Sequence, residues 1–301
     1  MRVPRAGSSR LSPMPPHVAG VAISNAERPV AAAPGHTKLD VVRYHEALGR
    51  WLLPQLAPRP IAVVKCNDGR FDERFFRKHA ARAHDAHDDS PPFLRLADVA
   101  DVVRTVQNGA YEFHTWGASF PRLERPDRIT LDLDPDVELP WATMREAAVH
   151  VRDFLERLEL NAFVKTTGGN GLHFVLPITR RHSWPEAREF ARAIAEALAR
   201  RVPKLFTARA GNDHRVQRVY VDSLRNAEGA TLVAAYSLRA RPGLPVSMPI
   251  GWSDLESDVR AERFNIDNAA RAVADRPADP WADYDRSRQT LSASMRRALT
   301  A

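Results

Sequence analysis

The chain has little cysteine and no long apolar run. Its single thiol, Cys66, cannot form an intrachain disulfide, and it cannot supply the ligands of a cysteine-rich zinc site. No apolar run is long enough for a signal peptide or a membrane span. These absences exclude a scaffold stapled by disulfides, and they predict a cytoplasmic protein without a membrane partner.

Acidic residues are also outnumbered. There are 37 Asp and Glu against 44 Lys and Arg, which gives a formal net charge of +7 and a pI near 10.0. Such a balance produces long-range attraction to phosphates and a salt-dependent affinity, but no sequence preference. Basic proteins without a nucleic-acid role also exist, so the charge supports a polyanionic partner without proving one. It favours a location in contact with the nucleoid.

The most informative segment is ITLDLDPD at 129–136, where apolar and acidic residues alternate. Strand side chains repeat every two residues, so Asp132 and Asp134 share one face if the apolar residues face a core. Neighbouring carboxylates repel each other unless hydrogen bonds or a cation offset the repulsion, and a divalent metal with hard oxygen ligands is the usual solution. The alternative is a strand that runs into a polar turn, with both carboxylates merely solvated.

Two further segments carry groups that suit a phosphate ligand. The run KTTGGNGLH contains a glycine-rich turn whose backbone can bring N–H groups near an anion, with side-chain donors from Thr167, Asn170 and His173. By itself, such a turn is more often a hairpin connection. A third carboxylate, Asp222, ends the run RVYVD at 218–222, in which Val219 and Val221 alternate with Tyr220 and Asp222. Three strand-borne aspartates and a phosphate-type turn suit a site that holds metal ions against a triphosphate.

Taken in order, these segments resemble the polymerase domain of bacterial DNA ligase D, which belongs to the archaeo-eukaryotic primase superfamily and acts in non-homologous end joining. The matching stretches are LDLDP at 131–135, TGGNGLH at 167–173, VDSLRN at 221–226, GAT at 229–231 and AYSLRARPG at 235–243. Each motif alone is weak, but the ordered set is specific. The resemblance implies an α/β fold of mixed β-sheets flanked by helices, with a primase-like catalytic core.

The resemblance also implies how the chain is divided. It predicts one primase-polymerase domain over 21–283, with DNA 5′-phosphate recognition in 21–110 and the catalytic core in 111–250. Residues 1–20 are rich in arginine and proline and lack apolar periodicity, so they are predicted to form a flexible basic tail. Residues 284–301 are predicted to form a polar C-terminal tail.

Local patterns predict several helices. Apolar spacing indicates a helix over 140–156, and a capping-box pattern with proline in the first turn opens another at Ser183 that runs towards Pro203. Short packing helices are predicted within 254–272.

At matching positions, the resemblance implies two-metal catalysis. Asp132, Asp134 and Asp222 would bind two Mg²⁺ or Mn²⁺ ions, one activating the attacking 3′-hydroxyl and the other bridging the nucleotide phosphates. The nucleotide-binding residues that it implies are Thr167, Gly168, Asn170, His173, His114, Arg239 and Arg241. Without the resemblance, His114 is better interpreted as a histidine in a half-buried strand.

The turn departs from the family pattern SGGKG at two positions. Thr167 replaces a serine and keeps the hydroxyl. Asn170 replaces a lysine, which removes a full positive charge beside a highly anionic ligand and would weaken a direct, desolvated contact by roughly a few kcal/mol. The sequence therefore predicts an active enzyme with a raised nucleotide requirement.

Another part of the chain matches the family region that recognises the 5′-phosphate of a DNA gap or end. Thr37 and Asp40 resemble a helix N-cap, where free N–H groups and the helix dipole favour a phosphate. The DNA-binding residues that the resemblance implies are Asn25, Arg28, Lys38, Lys65, Phe75 and Phe76. Arg28 stands where the family has lysine, which preserves charge and alters reach. The alternative is a capped surface helix with ordinary basic neighbours.

The two phenylalanines lie where the family stacks on template bases, and aromatics between basic residues suit base stacking with phosphate contact. Adjacent strand residues rarely face the same way, so one of the two is expected to be core.

These observations, taken with the resemblance, predict a template-directed nucleotidyltransferase that fills or extends DNA ends and uses ribo- or deoxyribonucleoside triphosphates. Cooperation with Ku and a separate DNA ligase is implied by the resemblance alone. The resemblance further implies a preference for ribonucleotides and some template-independent addition. Two alternatives stay open: a catalytically impaired DNA-end-binding module, and a metal-dependent phosphodiesterase that uses the same carboxylates. Primer extension with Mn²⁺ separates the first from a polymerase, and loss of labelled ends without nucleotide addition would favour the second.

Overall fold

The computed structural model describes residues 14–66, 69–77, 93–257 and 260–300. The strands are β1 (His17–Val18), β2 (Val21–Ala22), β3 (Ile61–Lys65), β4 (Phe75–Arg77), β5 (Ala110–Trp116), β6 (Arg128–Pro135), β7 (Phe163–Thr166), β8 (Leu172–Pro177), β9 (Phe206–Thr207), β10 (Val219–Asp222), β11 (Thr231–Val233) and β12 (Pro249–Ile250). The helices are α1 (Lys38–Ala47), α2 (Gly49–Leu56), α3 (Val99–Gln107), α4 (Trp141–Arg157), α5 (Trp184–Arg201), α6 (Asn212–Arg215), α7 (Trp252–Glu256), α8 (Ala269–Ala274) and α9 (Ala293–Thr300).

A six-stranded mixed sheet has the spatial order β12-β7-β8-β6-β10-β9, and its strands β6, β8 and β10 carry Asp132, His173 and Asp222. Within it, β6 pairs antiparallel with both β8 and β10. Ile129, Leu131 and Leu133 are fully buried, and α5 packs against this strand. Asp132 and Asp134 are half-buried, so the alternation predicted for 129–136 is confirmed.

A second sheet, in the order β11-β5-β3-β4, lies beside the first, and the helices α2 and α3 pack against β5. Arg128 at the start of β6 ties the two sheets together, because its Nη2 donates to Thr115 Oγ1 at 2.7 Å and to the Trp116 carbonyl at 2.8 Å. The predicted α/β class, with mixed sheets flanked by helices, is confirmed.

Capping explains where two of the helices begin. Ser183 caps α5 and Thr37 caps α1, each with a full capping box, formed with Glu186 and Asp40 respectively. These side chains satisfy N–H groups that a helix start otherwise leaves without partners. The helix predicted over 140–156 is α4, shifted by one residue.

Both predicted tails need correction. The strand β1 pairs with β2, so the prediction of a flexible tail over 1–20 is wrong for 17–20. Residues 1–13 of that predicted tail lie outside the described residues. The C-terminal tail is wrong for 284–300, where Tyr284, Leu291 and Leu299 are buried and α9 packs on α5. These anchors are too widely spaced to give a periodic signal, so only tertiary packing reveals them.

No helix among the described residues combines the length and the apolar character needed to cross a membrane.

Candidate active site

Three aspartates occupy adjacent positions on one face of the six-stranded sheet. Asp132 on β6 is the direct cross-strand partner of Asp222 on β10, and Asp134 lies two residues further along β6, opposite Tyr220. Directly opposed residues in an antiparallel pair project from the same face with Cβ atoms roughly 5 Å apart, and a step of two residues keeps that face. The structure therefore brings all three carboxylates together.

The polar row continues across the sheet beyond the aspartates. His173 on β8 pairs with Asp132, and Lys165 on β7 pairs with His173. The His173 Nε2 lies 3.2 Å from Asp132 Oδ1, and Lys165 Nζ donates to Ser247 Oγ at 2.6 Å. Burial, together with neighbouring cations, lowers the pKa of His173 to about 4 and that of Lys165 well below its ordinary range. Two carboxylates, an imidazole and an amine thus follow one another across four strands.

Burial and like charge perturb the aspartates. Burial, followed by the charges of Asp132 and Asp222, raises the pKa of Asp134 to about 6. Burial is also the main cause that raises the pKa of Asp222, and Asp132 adds to it. Such shifts arise when carboxylates crowd each other in a partly desolvated place. A cation in the row would offset this repulsion.

The donor chemistry fits a divalent ion. Carboxylate oxygens are hard ligands of the kind that Mg²⁺ and Mn²⁺ prefer. Asp132 Oδ1 is buried, and its 3.2 Å contact with His173 Nε2 does not have the geometry of a hydrogen bond, so among the described residues this oxygen has no hydrogen-bond partner. Within that same part of the chain, no three His, Cys, Asp or Glu side chains enclose an ion by themselves. Mg²⁺ is usually held by one or two carboxylates together with waters and substrate phosphates, which matches an open row of this type.

Hydrogen bonds of its own threonine, Thr167, hold the glycine-rich turn between β7 and β8 in shape. The Thr167 hydroxyl accepts the N–H groups of Gly169 and Gly171, both at 3.2 Å, and donates to the Gly171 carbonyl at 3.1 Å. Gly168 has a φ of +65°, and a Cβ there would lie 2.7 Å from Arg239 Cγ. The turn therefore requires glycine at 168, both for its left-handed backbone and for the close approach of the arginine.

A cleft of about 610 Å³ lies between the two sheets, next to the carboxylate row and the glycine-rich turn. Nine of the residues singled out from the sequence line it: Phe76, His114, Asp132, Asp134, Thr167, Asn170, His173, Arg239 and Arg241. Asp222 and Gly168 adjoin these residues without lining the cleft themselves. The structure thus gathers the predicted metal-binding and nucleotide-binding residues in one place.

The exposed Asn170 has a cation close by. A Cβ built on the neighbouring Gly169 would lie 2.8 Å from Arg241 Nη1, so the guanidinium stands directly over the turn. A positive charge is therefore present beside the turn, although the family's loop lysine is replaced.

Several cleft residues were not identified from the sequence. Arg215 and Arg225 line the cleft, and Arg225 Nε lies 3.8 Å from Asp222 Oδ2. Arg225 stands three residues after Asp222 in the VDSLRN motif, which could have suggested it. Glu112 accepts a hydrogen bond from His114 Nε2 at 2.8 Å. Its spacing of two residues from His114 already predicts that both side chains share a face of β5.

The residues predicted to meet a DNA 5′-phosphate lie in a separate group. The backbone N–H of Arg28 donates to the Asn25 carbonyl, and that of Lys38 donates to the Arg28 carbonyl. Lys38 is only 5% exposed, and its Nζ donates to the Ser24 carbonyl at 2.9 Å. Its ammonium group is thus largely committed inside the protein, while Asn25 is exposed.

Lys65 joins this group through α3. Gln107 Nε2 donates to Ser24 Oγ at 2.6 Å, and Lys65 Nζ donates to the carbonyl of the next residue, Asn108, at 3.0 Å. The structure therefore brings Lys65 close to the turn that holds Asn25 and that Lys38 contacts through its Nζ, and the group includes Gln107, which the sequence did not indicate.

Both phenylalanines on β4 are exposed, Phe75 by 43% and Phe76 by 42%. The expectation that one of them is core is wrong, because both side chains are exposed on β4, which is the edge strand of its sheet. Only Phe76 lines the cleft, where its ring packs edge-on against His114 with the centroids 5.3 Å apart.

Comparison with known proteins agrees with this geometry. The family model for the primase-polymerase domain of LigD matches residues 37–281. The chain is 43% identical to the multifunctional non-homologous end joining protein LigD of Pseudomonas aeruginosa, over 98% of the chain and 36% of that protein. It is 26% identical to the bifunctional non-homologous end joining protein LigD of Bacillus subtilis, over 84% of the chain and 42% of that protein.

A solved structure is also similar. The polymerase domain of Mycobacterium tuberculosis ligase D in complex with DNA superposes with a TM-score of 0.79 at 27% identity, covering 88% of this chain and 98% of that one. The chain thus spans well under half the length of these curated relatives and almost all of a solved polymerase domain.

Proposed function

The chain belongs to the LigD primase-polymerase domain family, and we propose that it adds nucleotides to the 3′ end of DNA at breaks or gaps, directed by a template strand, during non-homologous end joining. The observation that carries the proposal is the row of Asp222, Asp132 and Asp134 beside a glycine-rich turn in one arginine-lined cleft. A metal-binding acidic row next to a phosphate-type turn is the arrangement that phosphoryl transfer requires.

Asp132, Asp134 and Asp222 would hold two divalent ions, which when bound lower the pKa of an attacking hydroxyl and neutralise phosphate charge. Arg239 and Arg241, which lie beside the glycine-rich turn, would bind the triphosphate. The N–H groups of the glycine-rich turn other than those of Gly169 and Gly171, which donate to the Thr167 hydroxyl, would add neutral donors for phosphate oxygens. His173 stands between the acidic row and Lys165, so its neutral imidazole would orient Asp132 without adding a competing charge.

The group around Asn25, Arg28, Lys38 and Lys65 would hold the 5′-phosphate of the downstream DNA strand. Because Lys38 is buried, the exposed Asn25 would meet the phosphate first, and Lys38 would shape the turn behind it. Phe76, at the edge of the cleft, would stack on a template base, with Phe75 further out. Partnership with Ku and with a DNA ligase activity, and a location at the nucleoid, rest on the family resemblance.

Primer extension tests the proposal directly. The substrate is a 5′-phosphorylated gapped duplex, incubated with each ribo- or deoxyribonucleoside triphosphate and Mn²⁺ or Mg²⁺. The expected result is primer lengthening by the unaltered chain, which Asp132→Asn or Asp222→Asn abolishes while DNA binding, measured by fluorescence anisotropy, is largely kept. Extension that survives the double change Asp132→Asn with Asp134→Asn would refute the assignment.

One observation favours a second candidate, a DNA-end-binding module without efficient catalysis. Asn170 stands where the family has a lysine, so the turn itself offers no cation to the phosphates. The same assay separates the two functions, because such a module would bind the 5′-phosphorylated end and leave the primer length unchanged even with Mn²⁺.

A further inference from the structure

We propose that Glu112 is a positioning residue of the nucleotide cleft, where its carboxylate holds His114 and Arg239 in the arrangement that receives a nucleoside triphosphate. The inference rests on the proposed function and deepens it, since it names the group that organises one wall of the cleft.

The carboxylate of Glu112 accepts three hydrogen bonds. Its Oε2 accepts from His114 Nε2 at 2.8 Å and from Arg239 Nε at 3.0 Å, and its Oε1 accepts from the Ala240 backbone N–H at 2.8 Å. Glu112 is 4% exposed, so water does not compete for these contacts. One buried carboxylate therefore joins β5 to a loop that lies more than a hundred residues further along the chain.

Arg239 carries this constraint on to the glycine-rich turn. Its Nη1 donates to the Thr167 carbonyl at 2.6 Å, and its Cγ occupies the space that a Cβ on Gly168 would need. Glu112 does not line the cleft, whereas His114, Arg239 and Thr167 do. It therefore acts on the cleft through the groups that it holds, which come from three separate segments of the chain.

Only a carboxylate of this length satisfies all three donors. Aspartate is one methylene shorter and cannot reach both His114 on β5 and the two donors of the loop. In glutamine, an NH₂ group replaces one oxygen, so a donor would face either the Ala240 N–H or the pair formed by His114 and Arg239. A buried donor that loses its acceptor is costly, and the side chain that carries it moves to find another.

The change Glu112→Gln distinguishes a positioning role of Glu112 from a purely electrostatic effect of its charge, because the two explanations predict opposite changes in nucleotide affinity. The variant removes a negative charge next to the site of an anionic ligand, so a count of charges predicts tighter nucleotide binding. Loss of positioning predicts weaker binding, because the cleft groups are no longer fixed in advance.

The test measures binding of a nucleoside triphosphate with Mn²⁺ by calorimetry, and KM and kcat in primer extension, on the full chain. For Glu112→Gln we expect affinity to fall roughly tenfold to a hundredfold, the size expected when cleft groups shift by about an ångström. DNA affinity should stay unchanged. Affinity equal to or tighter than that of the unaltered chain would overturn the inference while leaving the polymerase function standing. A chain that binds no nucleotide before any change would overturn both.

Asp127→Asn is the matched control. Asp127 is also a buried carboxylate with an arginine partner, since its Oδ1 accepts from Arg59 Nη1 at 2.6 Å, but it does not line the cleft. This variant should lower the melting temperature and keep the nucleotide affinity of the folded protein.

A measurement on the unaltered chain covers the case in which Glu112→Gln does not fold. Burial lowers the pKa of His114, so the ring is neutral near pH 7, and a carboxylate acceptor at Nε2 requires the hydrogen on that nitrogen. Nitrogen NMR, assigned with His114→Gln, should show the Nε2–H tautomer. The Nδ1–H tautomer would overturn the inference.

Discussion

Restoring a lysine in the glycine-rich turn, by Asn170→Lys, is expected to tighten nucleotide binding. Asn170 is exposed at the wall of the cleft, so an ammonium group there would approach the phosphates through a region open to water. Two unit charges about 4 Å apart interact by about 1 kcal/mol in water and about 4 kcal/mol at an effective dielectric constant of 20. Because position 170 is exposed to water, the gain in nucleotide-binding free energy should be near the lower of these two values.

Arg241 limits this gain further. Its Nη1 lies 2.8 Å from the position of a Cβ on Gly169, so the new ammonium group would lie near an existing guanidinium group. Repulsion between like charges opposes part of the new attraction. The net gain should be below about 1 kcal/mol, which corresponds to a nucleotide Kd lowered by less than roughly fivefold.

The assay is nucleotide binding by calorimetry at two salt concentrations, with Asn170→Met as the control for side-chain length without charge. Asn170→Lys should bind more tightly than Asn170→Met, and the difference should shrink at high salt because exposed charges are screened. Equal affinities for the two variants would refute the reasoning, and would mean that Arg241 already supplies the charge that this place can use.

Three further predictions concern stability and DNA. Hydrogen bonds and cationic neighbours outweigh burial and hold the pKa of Glu112 at about 2, below its ordinary 4.5. Its stabilisation of about 3 kcal/mol is thus present above pH 4.5 and lost as the pH falls towards 2, so denaturation of wild type and Glu112→Gln should converge in acid. Phe76→Ala should weaken template binding by about 1–3 kcal/mol and Phe75→Ala by less, because only Phe76 of the two lines the cleft. Fluorescence anisotropy measures both affinities, and equal losses in the two variants would contradict this prediction. Ser183→Ala should cost about 1 kcal/mol of unfolding free energy by removing the cap of α5, with nucleotide affinity unchanged.

Much of the fold followed from local rules. Period-two alternation located β6 and β10, and capping boxes located the starts of α1 and α5, because these signals depend on residues only a few positions apart. The packing of 284–300 could not be predicted in this way. Its buried residues, Tyr284, Leu291 and Leu299, contact elements that lie far away in sequence.

For the site, the sequence alone determined which side chains of each strand point away from the core. The ordered motifs contained most of the residues that line the cleft. Strand order, strand register and the packing of helices and loops were decided by the tertiary structure. They set Asp222 directly opposite Asp132, buried Lys38 against a carbonyl, and placed Glu112 within reach of Arg239. The physical reason is that side-chain direction is a local property of the backbone, whereas the neighbour that each side chain meets depends on how distant segments pair and pack.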